Sequence, residues 1–318
     1  MPRHLSTRTV AWALAAVAVT MATAACSGSG QAEPSRLDAR AQGRDNVTDV
    51  IQAYSESLTA QDWDSFLSLF WPGATAAAIR RPDPGSDPAV MVSRVADRVA
   101  DLAPILSSKP VFEATHQSPA VFFEESLAMV WSPSATTIGE AADPNEIRGV
   151  DAITLLLVGD EWRIISIAYQ TDAVESPLQE GGARQSILTA LQRYYSDFSA
   201  RNWTRFGTHF WTDAMISAVR LPAGEDERRA VVRSPSEFVE LFRGTLEREP
   251  IFEVRMGSAQ VLVRGNLAQV WAEYRVRLGD ANISEWGGIN AFTMIRFRGR
   301  WRIVSLAYDT EATGTYHF

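Results

Sequence analysis

His209 is the residue whose type most directly suggests proton chemistry, because an imidazole titrates near neutral pH and can act as a general base. It falls in a predicted short helix, and its equivalent in the internal repeat described below is Leu69. The fold therefore does not require a histidine there. His209 is either a general base in a pocket or a surface or half-buried helix residue. The remaining histidines are His4, His116 in a predicted strand, and His317.

Other chemistries lack the residues that they need. A single cysteine permits neither an intramolecular disulfide nor a four-cysteine metal site. No cluster of histidine and acidic residues has zinc spacing, and no glycine-rich loop precedes a helix as in phosphate sites. The net charge of −8 argues against a nucleic-acid partner, which needs a basic face. We therefore expect no metal, no cofactor and no nucleic acid.

Residues 1–25 are predicted to be a signal peptide. A basic start precedes an apolar run from Val10 to Ala25, which is shorter than the about 20 residues of a membrane-spanning helix. The following Cys26 resembles the lipidated cysteine of a bacterial lipoprotein, although Thr23 stands where such signals usually have leucine. The resemblance implies a lipid anchor (palmitate) on Cys26 and a place on the outer face of the cytoplasmic membrane. The alternative is cleavage after Ala24, which would release a secreted, soluble protein.

Aromatic residues recur along the chain at a constant offset. Tyr194 follows Tyr54 by 140 positions, and a one-residue deletion shortens the offset to 139 near the end, where Tyr308 matches Tyr169. This period far exceeds the 20–50 residues of a solenoid unit, so each copy is predicted to be a complete domain. The tryptophan pairs are Trp63–Trp203, Trp71–Trp211, Trp131–Trp271 and Trp162–Trp301.

Each copy is predicted to begin with helices and to continue with strands. Apolar residues at a spacing of 3.6 predict a long first helix and a short aromatic second helix, and a third helix is predicted over Ala89–Leu106 and Ser236–Glu247. Alternating residues then predict strands, which end in a hairpin of Ala291–Phe297 with Trp301–Tyr308. Helices followed by an antiparallel meander indicate an α+β fold.

This order, with the closing strand Gly-Arg-Trp-Arg-Ile-Val-Ser-Leu-Ala-Tyr (299–308), resembles the nuclear transport factor 2-like superfamily, especially its SnoaL-like and ketosteroid-isomerase-like members. The resemblance implies two tandem cone-shaped domains, each a curved antiparallel sheet wrapped around about three helices. It also implies association through the convex sheet face, so we expect an intramolecular pseudo-dimer of the two domains. The predicted segments are a signal peptide (1–25), a flexible tether (26–44), cone domain 1 (45–172), a linker (173–183), cone domain 2 (184–312) and a tail (313–318).

Enzymes of this superfamily place an Asp, Tyr or His inside the cone, which makes Asp151, Asp213 and Tyr274 catalytic candidates beside His209. Their equivalents in the other copy are Asn290, Gly73 and Ser134. A catalytic carboxylate cannot be exchanged for an amide or a glycine without loss of its proton chemistry. At most one copy could therefore be catalytic by this route.

Six aromatic residues are candidates for lining the two cone pockets: Tyr54, Trp71, Trp131, Tyr194, Trp211 and Trp271. They could equally be core residues, since burying an aromatic side chain contributes roughly 4–6 kcal/mol. Trp286 has no partner in the other copy and lies beside two glycines in a predicted loop. It is either a contact point or a cover over the cone mouth.

These observations predict an exported, lipid-anchored protein that binds or scaffolds without catalysis. Its ligand would be a small apolar molecule or an envelope protein. The alternative is an isomerase- or hydrolase-type enzyme with its active site in the second cone.

Overall fold

The structure is a computed structural model that describes residues 36–80, 89–172, 180–220, 229–280 and 282–310. The predicted signal peptide, Cys26 and the tail lie outside the described residues. So do residues 26–35 of the predicted tether and 173–179 of the predicted linker. None of the helices in the described ranges combines the length and apolar character needed to cross a bilayer.

The first half contains three described helices and seven described strands. The helices are α1 (Arg36–Ala60), α2 (Trp63–Ser68) and α3 (Val95–Leu106). The strands are β1 (Phe70–Arg80), β2 (Ala89–Arg94), β3 (Val111–His116), β4 (Ala120–Glu124), β5 (Leu127–Glu140), β6 (Asp143–Val158) and β7 (Glu161–Thr171).

The second half repeats this order. Its helices are α4 (Glu180–Ser199), α5 (Trp203–Thr208) and α6 (Pro235–Leu246). Its strands are β8 (Phe210–Arg220), β9 (Arg229–Arg233), β10 (Ile251–Arg264), β11 (Leu267–Gly279), β12 (Ile283–Phe297) and β13 (Arg300–Thr310). The continuous β10 corresponds to β3 and β4 together.

The strands form two separate sheets, one in each half. The orders are β2-β1-β7-β6-β5-β3, with β4 also paired to β5, and β10-β11-β12-β13-β8-β9. The predicted α+β class with two tandem cone domains is therefore confirmed. The sheets are not wholly antiparallel, however, because β1 runs parallel to β7 and β8 runs parallel to β13. These parallel pairs join the first strand of each half to its last.

Local signals in the sequence explain why the helices begin at equivalent positions. The side chain of Asp62 accepts a hydrogen bond from the backbone of Ser65 before α2, and Asn202 accepts one from Arg205 before α5. Such caps satisfy amide groups that have no partner within the helix. Helix α6 also has a capping box, in which Ser234 and Glu237 bond reciprocally.

One face of each sheet packs against the helices of its own half. In the first half Tyr54 of α1 belongs to one buried cluster with Val130, Ile153 and Ile164 of this face. In the second half Tyr194 of α4 meets Val270, Phe292 and Ile303. Each half therefore has its own hydrophobic core.

The opposite faces of the two sheets pack against each other through two apolar clusters. Interface cluster A combines Leu127, Met129, Leu156 and Ile165 of the first half with Ala291 and Ala307 of the second. Interface cluster B combines Leu267, Ile295 and Val304 of the second half with Ala77, Ile79, Val150, Ala152 and Ala168 of the first. Equivalent residues exchange places between the clusters, as they do across a two-fold axis in an isologous dimer.

Three local expectations differ from the structure. Residues 89–94 form strand β2 rather than the start of the third helix, because they pair with β1 and place Val90 and Val92 against interface cluster B. Helix α1 begins at Arg36, within the predicted tether, and α4 begins at Glu180, within the predicted linker. Trp286 lies in β12 rather than in a loop, because it pairs with Val276 of β11 in a ladder that runs from Ile283 to Ile295.

Candidate functional site

A chain of hydrogen bonds crosses the interior of the first cone. The Ser55 hydroxyl oxygen on α1 lies 2.7 Å from His116 Nδ1 on β3. On the other side of the ring, His116 Nε2 lies 2.8 Å from Asp151 Oδ2 on β6. Ser134 on β5 donates from its hydroxyl to Asp151 Oδ1 at 3.1 Å. The geometry thus joins a hydroxyl, an imidazole and a carboxylate in one line.

Strand register brings these residues together. His116 of β3 pairs with Ser134 of β5, and Asp151 of β6 pairs with the neighbouring Ser132. Because alternate residues of a strand share a face, His116, Ser134 and Asp151 all point toward α1. The side chain of His116 is 5% exposed and that of Asp151 is 12% exposed.

The position of the proton on the His116 ring determines whether Ser55 donates to that ring. A carboxylate only accepts, so Nε2 carries the proton toward Asp151. In a neutral ring Nδ1 is then an acceptor, and Ser55 donates to it. The Ser55 oxygen also lies 3.1 Å from the backbone oxygen of Ile51. The Ser55 hydroxyl thus has two acceptors within reach, the His116 ring and this carbonyl.

Two tyrosines adjoin this chain. The Tyr54 ring lies 5.2 Å from the His116 ring between centroids. Burial raises the pKa of Tyr54 well above its ordinary value, and the nearby Asp151 and Tyr169 raise it further. The Tyr54 phenol therefore stays protonated. Arg98 of α3 donates to the Tyr169 hydroxyl at 3.0 Å.

The second cone keeps both tyrosines, as Tyr194 and Tyr308, but replaces the serine, histidine and carboxylate of the chain. Tyr195, Met256 and Asn290 stand at the positions of Ser55, His116 and Asp151. Asn290 donates to the Tyr195 hydroxyl at 2.7 Å, and burial raises the pKa of Tyr195. Phe238 takes the place of Arg98 and contacts the Tyr308 ring edge-on.

Aromatic rings fill the second cone. Tyr194 contacts the rings of Phe206, Phe210 and Phe292 at centroid distances of 5.2, 5.9 and 5.5 Å. The cavity between α6 and strands β8 and β9 measures only about 10 Å³, room for about one water molecule.

The predicted catalytic residues occupy different environments. Asp151 belongs to the hydrogen-bonded chain of the first cone. His209 caps the end of α5, and its Nε2 lies 2.8 Å from Asp197 Oδ2. Asp213 is exposed on β8, and the Tyr274 hydroxyl donates to the backbone oxygen of Asp309 at 3.3 Å. The structure therefore does not bring His209, Asp213 and Tyr274 into one site.

The predicted pocket residues divide into two groups. Tyr54 and Tyr194 lie inside the cones, with 6% and 4% of their surface exposed. The four tryptophans pack at the contact between the two sheets: Trp71 and Trp271 against interface cluster A, and Trp131 and Trp211 against interface cluster B. Trp211 also packs against the core of the second half. Trp286 packs against the core of the second half.

Sequence reasoning missed Ser55 and the role of His116. A usable signal was present, because His116 and Asp151 change together to Met256 and Asn290 between the copies. No group of three or more metal-ligating side chains comes together in the described ranges.

Comparisons with solved structures find proteins that each match about half of this chain. A nuclear transport factor 2-like protein with a cystatin-like fold from Novosphingobium aromaticivorans is 14% identical, covers 49% of this chain and 97% of its own, and gives a TM-score of 0.38. A candidate dehydratase of the same family from Streptomyces avermitilis is 13% identical, covers 42% and 97%, and gives 0.35. A nuclear transport factor 2-like protein of unknown function from Shewanella baltica is 18% identical, covers 41% and 94%, and gives 0.31.

Similarity at this level concerns chain folding and carries no information on activity or ligand. No protein-family model matches the sequence. No curated protein matches it either.

Proposed function

We propose that this protein is exported, anchored through a lipid on Cys26 to the outer face of the cytoplasmic membrane, and acts there as a non-catalytic binding or scaffolding module. Its partner is an envelope protein or a small apolar molecule. The sequence supports the location, because a short apolar run ends at the only cysteine of the chain.

The filled second cone is the observation that carries the non-catalytic part of the proposal. Aromatic side chains occupy the space in which a substrate would have to lie, and the replacements Met256 and Asn290 remove the acid–base pair. At the positions of His116 and Asp151 the second half keeps the fold without an acid–base pair, and its His209–Asp197 pair lies at the end of α5. The filled interior supports a role in building a rigid two-domain body. That body would present its outer surfaces to a partner.

Two experiments test this proposal on the full-length protein. Metabolic labelling with a palmitate analogue should mark the wild type and leave Cys26→Ser unlabelled and released from the membrane. Labelling of C26S, or wild-type protein found only in the medium, would contradict the anchor. Mass spectrometry of the purified protein after in-cell cross-linking should find the same envelope protein or apolar molecule in repeated preparations, and its absence from all of them would contradict the binding role.

A second candidate function is an enzyme, and the Ser55–His116–Asp151 chain favours the first cone as its site. A histidine held by a carboxylate is a general acid–base pair in many enzymes. His209 with Asp197 is the corresponding pair of the second half, so the two halves are competing candidates for this chemistry. If a co-purified molecule is turned over, H116M should abolish its turnover and H209L should leave it unchanged. The reverse result would return the site to the second half.

A further inference from the structure

A polar cleft of about 240 Å³ lies on the outer face of the first sheet, beside the junction of the two halves. Its floor contains Pro133, Ser134 and Gly149 of the central strands β5 and β6. Asp172, directly after β7, and Arg264, at the end of β10, close it on the side of the second half. The cleft therefore exists only where the two halves meet.

The relief of the first sheet creates this cleft. On the central strand β5, the residues that face outward are the short Pro133 and Ala135. Gln117, directly after β3, and Arg148 of β6 lie beside them, since Gln117 donates its backbone N–H to Pro133 and Arg148 pairs with Ala135. Long side chains at the sides and short ones in the middle leave a groove.

The second sheet has the opposite relief at the equivalent positions. Glu273 and Arg275 replace Pro133 and Ala135, whereas Gly257 and Gly287 replace Gln117 and Arg148. A Cβ atom on Gly257 would lie 3.2 Å from Glu273 Oε2, and one on Gly287 would lie 2.9 Å from an Arg275 guanidinium nitrogen. The long central side chains thus lie over the flanking glycines and fill the space. Two copies of one fold differ here by an exchange of large and small residues, which opens the site in the first half alone.

The walls of the cleft carry both signs of charge. Arg148 Nε lies 2.6 Å from Glu146 Oε1, and an Arg264 guanidinium nitrogen lies 2.6 Å from Asp172 Oδ1. The second pair is not repeated by the internal symmetry, because the equivalent of Arg264 is Glu124. A guanidinium has five N–H donors and a carboxylate about four acceptor positions, so each pair has capacity for a further charged group.

From this relief and charge pattern we infer that the cleft binds a small zwitterion, an amino acid or a dipeptide. The ligand carboxylate is held by Arg148 and Arg264, and its ammonium group by Glu146 and Asp172. A ligand with one charge meets both signs and gains little net attraction, whereas a zwitterion matches both. The volume lies just below the about 300–1,000 Å³ of pockets for drug-sized ligands, which suits a molecule of this size. The cleft lies on the outer face of the first sheet and the hydrogen-bonded chain on the opposite face, with Ser134 bordering both.

Calorimetric titration of the mature protein tests the inference with a panel of L-amino acids and glycylglycine, with acetate and ethylamine as single-charge probes. We expect saturable binding of at least one zwitterion and no saturable binding of either single-charge probe at up to about 10 mM. Absence of zwitterion binding in this range, or equal binding of acetate or ethylamine, would overturn it.

Substitutions copied from the chain itself locate the binding. Ala135→Arg introduces the residue that the second half carries and should weaken binding by at least about tenfold. R264E copies Glu124, acts on the opposite wall and should do the same without filling the groove. Arg255→Ala removes another surface ion pair, with Glu253 in the second half, and should bind as the wild type does. Unchanged binding in both A135R and R264E would overturn the inference, and circular dichroism establishes that each variant is folded.

Discussion

Gln170 and Asp309 occupy equivalent positions on the last strands of the two halves, and each accepts hydrogen bonds from a turn of the other half. The Asn266 backbone donates to Gln170 Oε1 at 2.8 Å. The Ser126 backbone donates to Asp309 Oδ2 at 3.2 Å, and the Ser126 hydroxyl donates to the same atom at 2.8 Å. The two halves are therefore joined by reciprocal polar contacts as well as by the apolar clusters.

Removing either acceptor should destabilise the protein. Gln170→Ala or Asp309→Ala leaves a backbone N–H at the interface without its acceptor, and we expect each to lower the free energy of unfolding by about 1–3 kcal/mol. D309Q should cost less, because it copies the residue at the equivalent position. Urea denaturation measures these changes, with the exposed Asp213→Ala as control. A loss no larger than that of D213A would contradict the joining role.

The apolar clusters predict equal costs at equivalent positions. Leu127 and Leu267 are both fully buried, one in interface cluster A and the other in interface cluster B. Leu→Ala at either site should lower the free energy of unfolding by about 2–5 kcal/mol, with the two values alike. L241A, at a side chain that is 46% exposed, should cost less than about 0.5 kcal/mol. A small cost for one leucine and a large cost for the other would contradict the two-fold arrangement.

The polar chain of the first cone should behave as a coupled unit. Asp151→Asn replaces the carboxylate that holds the buried His116 with an amide. The double variant H116M/D151N introduces the Met–Asn combination that the second half carries. We expect the double variant to be more stable than the sum of the single costs implies, with a coupling energy above about 1 kcal/mol. Thermal or urea unfolding of the four proteins in the cycle measures it. Additive costs would show that His116 and Asp151 do not interact.

Stability should fall in alkaline solution because of the buried tyrosines. Burial raises the pKa of Tyr54 and Tyr194 in the folded protein, whereas unfolded tyrosine titrates near pH 10. The folded state therefore keeps protons that the unfolded state loses, and stability present below about pH 10 declines as the pH rises above it.

The melting temperature and the absorbance of tyrosinate measure this decline together. Ionisation of the buried tyrosines should coincide with unfolding, and Tyr54→Phe should make the alkaline loss less steep because it removes one of the ionising groups. Ionisation of Tyr54 in a protein that is still folded would contradict this account.

The sequence alone determined the duplication, the α+β class and the separate core of each half. The duplication follows from the 140-residue offset of the aromatic residues, which can be read directly along the chain. The class and the cores follow from the spacing of apolar residues within single helices and strands, which is a local property of the sequence. Local caps such as Asp62 and Ser234 have the same origin.

Only the tertiary structure decided which face each residue serves and which distant residues meet. The spacing of Trp71 and Trp211 along the chain is the same for a residue inside a cone and for one at the contact between the sheets. Their position at that contact depends on how the two sheet faces pack. Ser55, His116 and Asp151 are far apart in sequence and are brought into contact by strand register against α1. The cleft likewise depends on the relative position of Asp172 and Arg264. Such contacts arise from packing between elements that are far apart in the sequence. No short stretch of residues therefore contains the information that specifies them.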